Sequence, residues 1–258
     1  MRSRLNCVFL ILAFGCVTAE ADIFVPGETV PGATEIFTWA ENHADSTWAF
    51  WDTFERFPGG AIPGGIVPGT SPEANSSFAG QASGTTSLTF DSFATIVSSG
   101  NAYGFNFAPG LPPVQPEFIT DAYTTIRAGD SGGDFTRIVA QWQTQGTELD
   151  YDTLLLSLDG GQEGTIVPDF TMETGRVTLG GFGGELVNRI AVWDVDSSAD
   201  PFRVDFRAQA NHMSFDQFRI DTFTQASTFN AITAIPEPGS LFAMSLVTGG
   251  LLLRRRRV

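Results

Sequence analysis

Within this 258-residue chain, Gly129-Asp130-Ser131-Gly132-Gly133 is the stretch whose residue types most directly suggest chemistry. A serine between glycines can be a nucleophile, provided that a histidine takes its proton and a carboxylate orients that histidine. The chain holds two histidines, His43 and His212. His43 lies in Glu41-Asn42-His43-Ala44-Asp45, without the Ala-Ala-His-Cys context that a catalytic histidine of such a serine would have. A hydrolase elbow also joins a strand to a helix, whereas Phe135 to Thr144 reads as a strand. The motif is therefore expected to be a glycine turn between strands.

Carboxylates form a second set. Asp194, Asp196 and Asp200 lie in Asp194-Val195-Asp196-Ser197-Ser198-Ala199-Asp200, just after a predicted strand. Calcium takes six to eight oxygens from carboxylates and loop carbonyls, so these three are the candidate ligands of a structural calcium, although the glycine and distal glutamate of an EF-hand loop are missing. Asp150, Asp152, Asp159, Asp130 and Asp134 read as turn and edge residues. Paired acids also raise glycoside hydrolysis, but with 29 acids in the chain some pairs arise by chance. Tryptophans are the third set, because a sugar stacks its apolar face on such rings. Trp142 and Trp193 share strand register with Ile138, Ala140, Ala191 and Val195 and are expected in the core. Trp48 and Trp51, beside a Pro/Gly-rich stretch, are the candidate glycan contacts.

What must position these residues is bracketed by two end segments. Arg2 and Arg4 precede an apolar run from Leu5 to Val17, and Ala19-Glu20-Ala21 offers a cleavage site, so residues 1–21 read as a secretory signal peptide. Cys7 and Cys16, the only cysteines, both lie in it. The exported chain is thus left without disulfides, thiol catalysis or cysteine-bound metal and must stand on an apolar core. All 14 basic residues are arginine; two fall in the signal and four at the C-terminus. Against the eight that remain stand 27 acids, a net charge of −19 over residues 22–234. Such a surface argues against nucleic acid as a partner and favours solubility, divalent cations or basic ligands.

Between the ends, helical periodicity is scarce, while short β-branched and aromatic runs bounded by Gly, Asp, Ser and Pro recur, which predicts one all-β domain over residues 22–234. Nine strands are expected: Phe78 to Phe90, Tyr103 to Phe107, Phe118 to Ile126, Phe135 to Thr144, Asp150 to Leu158, Arg176 to Leu179, Arg189 to Val195, Phe202 to Ala208 and Ser214 to Thr222. Residues 59–69 read as an exposed loop. Trp48 to Glu55 is a buried strand or a short helix. In Phe202-Arg203-Val204-Asp205-Phe206-Arg207 the alternation is strict, with the charged residues toward water. Gln217, Arg219 and Asp221 are expected to face out likewise and to pair with Arg203 or Asp205.

After Ile235 come Pro236-Glu237-Pro238, an uncharged run over residues 239–253, and Arg254, Arg255, Arg256 and Arg257. The run spans roughly 22 Å as a helix, short for a ~30 Å hydrocarbon layer, and the arginine cluster marks its cytoplasmic side. These three parts in this order resemble the PEP-CTERM sorting signal, with Pro236, Glu237 and Pro238 as the motif and residues 235–258 as the tail. The resemblance implies recognition and processing by an exosortase, a membrane-anchored intermediate with a single short transmembrane helix, and delivery to the cell surface or extracellular matrix. The stretch Met213 to Asp221 resembles the closing strands of jelly-roll carbohydrate-binding-like domains attached to such tails.

The sequence is therefore read as a jelly-roll-like antiparallel β-sandwich, exported through the inner membrane and sorted by its tail into the envelope or matrix. Its role is expected to be non-enzymatic, structural or glycan-interacting, with extracellular polysaccharide as the possible partner and no cofactor beyond a structural calcium. A secreted polysaccharide-active enzyme and a calcium-dependent adhesion module are the rival readings.

Overall fold

The structure, a computed structural model, describes residues 23–41, 43–52, 67–70, 77–78, 87–90, 94–96, 102–104, 121–127, 133–160, 162–180, 184–196, 201–209 and 213–235. Among these residues there is no helix; the ordered elements are strands. In chain order they are β1 (Ala33–Thr34), β2 (Ser46–Trp51), β3 (Val67–Thr70), β4 (Ser77–Phe78), β5 (Ser87–Phe90), β6 (Ala94–Ile96), β7 (Ala102–Gly104) and β8 (Asp121–Arg127). They continue as β9 (Phe135–Gly146), β10 (Leu149–Ser157), β11 (Phe170–Thr178), β12 (Glu185–Val195), β13 (Pro201–Ala208), β14 (Met213–Gln225) and β15 (Thr233–Ala234).

Two antiparallel sheets form a β-sandwich. The larger runs β11-β12-β9-β14-β2-β4, with β7 also on β14 and β6 on β7; the smaller runs β10-β13-β8-β5-β3. Strand β13 shows why they close on each other. Its alternation sends Phe202, Val204, Phe206 and Ala208 inward, where they meet Ile138, Ala140 and Trp142 of β9, Ala191 and Trp193 of β12, and Phe215, Phe218 and Ile220 of β14. Phe215 and Phe218 are an odd number of residues apart, so a regular strand would send them to opposite faces. A bulge between Phe215 and Gln217 restores both to the core. The Phe206 ring then stacks on Phe215 and Phe218 at centroid distances of 5.2 and 5.4 Å.

Several strand expectations are corrected. The stretch Phe78 to Phe90 is two strands in different sheets, since β4 pairs with β2 and β5 with β8; the Gly80 to Gly84 run between them breaks the pattern. Residues 67–70 are a strand and not a loop. This is β3, the edge of the smaller sheet, where Pro68 and Gly69 are tolerated. Trp48 lies on a strand, which settles the helix-or-strand ambiguity. Strand β11 begins at Phe170, well before the predicted Arg176.

The outward face of the larger sheet is covered, which is the main departure from a two-layer reading. Val139, Ile190, Val192 and Phe223 on that face pack against Val30, Ala33, Ile36 and Trp39 of the N-terminal segment, with Phe229 and Ile232 of the C-terminal segment alongside. The Trp39 ring stacks on Phe223 at 4.9 Å. The two covering segments join through β1 and β15, with Ala33 opposite Ala234 and Thr34 opposite Thr233. A second apolar core thus lies behind the first.

Truncating Phe206 to alanine removes the ring that joins the two sheets, and should cost about 3–5 kcal/mol. The denaturant midpoint measures it, and a loss of only a few tenths would mean that the sheets do not depend on this contact.

Candidate functional site

Three polar constellations stand out, two on the covered face of the larger sheet and one at a rim. The first centres on Arg137. On β9, Arg137, Val139 and Gln141 share the outward face, so the cover that buries Val139 buries Arg137 as well, to 0% exposure. A guanidinium does not give up its charge in a protein, so every donor must be met. Both oxygens of Asp194, directly across on β12, accept from Nε and Nη2 at 2.7 Å. Nη1 donates to the carbonyls of Glu35 and Ile36, and Nη2 to that of Asn230 at 3.0 Å. The Phe229 ring lies over the guanidinium at 4.5 Å, and the Asn230 side chain donates to Glu35 at 3.2 Å. Glu35 adopts φ 65°, the left-handed region a side chain occupies only when its surroundings require it. Nearby, the Gln141 amide mimics a peptide, accepting from Phe24 N at 2.8 Å and donating to Phe24 O at 2.7 Å.

The second constellation is Arg219, Asp221 and Glu41, on the same covered face. Arg219 and Asp221 are both buried; Nε and Nη2 of the arginine reach the aspartate at 2.8 to 3.2 Å. Nη2 also donates to Glu41, on the covering segment, at 2.9 Å. Trp48 lies against the guanidinium, 4.7 Å from ring centroid to Cζ. One positive charge thus serves a fully buried carboxylate and a partly exposed one. Burial pushes the Asp221 carboxyl up to about 6; Arg219 opposes this and Glu41 adds to it. For Arg219 itself burial favours loss of charge, but Asp221 and Glu41 outweigh it and raise the guanidinium further. The expected pairing of Arg219 and Asp221 with Arg203 or Asp205 is corrected: β14 and β13 belong to different sheets. Arg203 instead bonds Asp205 and covers the Tyr123 ring at 4.0 Å.

The third lies at one rim of the sandwich. A bulge between Glu173 and Gly175 in β11 brings Glu173 and Arg176 to one face. Arg176 there holds Glu173 at 2.7 and 2.9 Å, Glu148 at 2.9 Å, and Glu185. Arg189 reaches Glu148 and Glu173 at 3.2 and 3.3 Å and covers the Tyr151 ring at 4.3 Å. The Tyr151 hydroxyl donates to Glu148. Burial pulls Glu148 up, but Tyr151 and Arg176 outweigh it and hold the carboxyl below its ordinary value. The Arg176 hydrogen bonds hold Glu173 down as well. Burial and the Glu148 hydrogen bond raise Tyr151, which stays neutral. Two carboxylates and an aromatic ring converge here, the arrangement that would favour polysaccharide hydrolysis. That chemistry needs one acid holding a proton near neutral pH, and these two are kept ionised.

The remaining sequence candidates fall as follows. Trp51 is fully buried and tilts against Phe218 at 5.7 Å; Trp48 is 5% exposed beneath Arg219. Both are interior, because each face of β2 is covered, so neither offers a ring face to a sugar. Trp142 and Trp193 are in the core as expected. Both Asp194 oxygens serve Arg137, Asp196 is exposed, and Asp200 lies outside the described residues. No three metal-ligating side chains converge among the described residues. Ser131, His212, Pro236, Glu237, Pro238 and Arg254 to Arg257 also lie outside the described residues. His43 accepts from the Asp45 backbone within its own turn. Arg137 and Gln141 carry no motif of their own. Their signal was present in the unbroken apolar run Ile190-Ala191-Val192-Trp193 of the neighbouring strand, which implies burial on both faces.

Replacing Arg137 by methionine strands Asp194 and three carbonyls, and should cost about 3–5 kcal/mol; a loss within a few tenths in thermal or denaturant melts would refute the bracing role. The pH dependence follows from Asp221. Because its folded pKa lies above its ordinary 3.8, its contribution is full below about 4 and is lost as pH rises through about 6. Glu148 and Glu173, held down, contribute above their ordinary 4.5 and lose that contribution as pH falls through their folded values. Stability should therefore be greatest near pH 5, with about 1–3 kcal/mol lost on going to pH 7.5. Asp221→Asn should flatten that slope, and an unchanged slope in melts of the variant would assign it elsewhere.

Compared with known protein families, with curated proteins and with solved structures, the chain matches none.

Proposed function

We propose that this protein is an exported, non-enzymatic β-sandwich of the jelly-roll kind, sorted through its C-terminal tail by an exosortase into the cell envelope or extracellular matrix. The observation that carries the reading is the tail itself: Pro236-Glu237-Pro238, an uncharged run over residues 239–253 and four arginines, in that order. The signal peptide of residues 1–21 supplies export, and residues 235–258 a membrane-anchored intermediate.

Three features of the domain support this. Residues 22–234 contain no cysteine, so nothing in them depends on the redox state of the compartment. The hydrogen-bonded frame reaches Phe24, three residues after the signal peptide, and Ile235, directly before Pro236. The clustered acids of the described surface are tied to arginines in braces, which suits a durable structural or glycan-contacting module better than a reaction centre. A polysaccharide of the matrix is the partner class this predicts, met by the polar outer surface rather than by the buried tryptophans.

Alanine at Pro236, Glu237 and Pro238 tests the sorting reading. In a host that makes the processing enzyme, the natural chain should be shortened by its tail and leave the inner membrane, and the variant should stay full-length and membrane-bound. Unchanged processing and export of the variant would mean that the stretch is only a linker to an anchor.

A further inference from the structure

The cover of the larger sheet ends where the sorting motif begins. Strand β15 is two residues long and exposed, and pairs with β1. The last described residue, Ile235, donates its N–H to the carbonyl of Gly32 at 2.7 Å. The next residue is Pro236. An enzyme that recognises an extended peptide takes hold of backbone donors and acceptors beside the motif, commonly by adding the segment as a strand. In this fold the backbone of residues 233–235 is already paired with β1.

Reach makes the conflict sharper. From Ile235 to Gly239, where the uncharged run starts, the chain extends at most roughly 14 Å. That is little more than the ~10–12 Å width of a single helix, so on the sorting reading, which starts the membrane run at Gly239, a closed clasp holds the domain within about that distance of the membrane. Releasing residues 233–235 lengthens the free stretch, from Ile232 onward, to roughly 25 Å. The remainder of the cover need not move, because Arg137 holds the carbonyl of Asn230, upstream of the clasp.

We propose that β1 and the processing enzyme compete for one stretch of backbone: the clasp between residues 32–34 and 233–235 must unzip before the motif can be processed, so recognition extends upstream of Pro236 to Thr233. This rests on the sorting reading above. The clasp is built to open, with two-residue strands and a turn glycine, Gly32, at φ 86°.

The test uses the full chain in a host that makes the enzyme. Ala33 and Ala234 are directly opposite, next to the hydrogen-bonded pair Gly32 and Ile235. Such a pair has Cα atoms about 4.5 Å apart, within disulfide range. Once the signal is removed no other cysteine is present. Oxidised Ala33→Cys/Ala234→Cys should lose its tail about tenfold more slowly than the natural chain and recover on reduction, because the lock removes the open state. Gly32→Val opens the clasp from the β1 side without touching the tail: it places a side chain at positive φ and 3.3 Å from the Met172 sulfur. It should be processed about fivefold faster, the population change from losing roughly one net hydrogen bond. Melting curves verify that each variant is folded; if the cysteine pair fails to fold, the Gly32→Val arm decides alone, and no acceleration there overturns the proposal. Natural-rate processing of the oxidised pair, with the motif alanine variant blocked, overturns the competition and leaves the sorting reading standing. Normal processing of the motif variant brings down both.

Discussion

A buried guanidinium is the constraint on which the outer half of this molecule depends. Arg137 sits on β9, a central strand of the larger sheet, with none of its surface in water. Its charge persists through folding, so the fold must supply acceptors from all sides. Asp194 supplies two from within the sheet; the others are backbone carbonyls of residues 35, 36 and 230, which reach the site only if both ends of the domain cross that face. The left-handed Glu35 follows from the same demand, since its carbonyl must turn down to the guanidinium. An apolar residue at this position would let the cover dock by area alone, and area is not directional. The arginine makes the position of the cover specific.

That logic repeats along the face. Gln141 pairs with both backbone groups of Phe24, and Arg219 with Glu41, so the covering segment is fixed at Phe24, at Glu35 and Ile36, and at Glu41 by polar contacts. Val30, Ala33, Ile36 and Trp39 contribute apolar burial between them. The two contributions are complementary: burial of the aliphatic and aromatic groups supplies most of the free energy, while the arginines set register. Asp221 shows the cost of this arrangement. Burial is the main reason that the aspartate keeps a proton to higher pH than usual; Arg219 beside it opposes this, and Glu41 adds to it.

The first core was legible in the sequence, and the second only in part. Strict alternation in Phe202 to Arg207 identified β13 and its inward face, and Trp142 and Trp193 took their expected places, because period-two burial is a local property of a strand. Arg219 and Asp221 look the same in sequence as Arg203 and Asp205, yet the first pair is buried beneath the covering segment, while the second is only partly buried. What separates them is a segment almost two hundred residues away, and no local pattern carries that information. The bulge in β14 is a similar case: the odd spacing of Phe215 and Phe218 is visible, but only the packed core shows that both must face inward. Strand β3 was hidden for another reason, since its Pro68 and Gly69 announce a loop and are allowed only because the strand is an edge.

The contacts that close the cover on the larger sheet are among the longest-range in the fold. The sandwich core draws on β2, β5, β8 to β10 and β12 to β14, and none of its contacts needs the two ends to meet. The cover cannot. Arg137 has its full set of acceptors only when Asn230 arrives, and β1 has a partner only when β15 does, so the N-terminal segment waits for the last residues of the domain. Closing so long a loop costs little more than closing a shorter one, because the entropy grows with the logarithm of length, but long-range contacts form late. On the proposed export route, where the N-terminus leads, the final zipper between residues 33 and 234 therefore forms next to the tail that anchors the chain. Completion of the fold thus rests on the few backbone groups of two-residue strands that pair the first segment with the last.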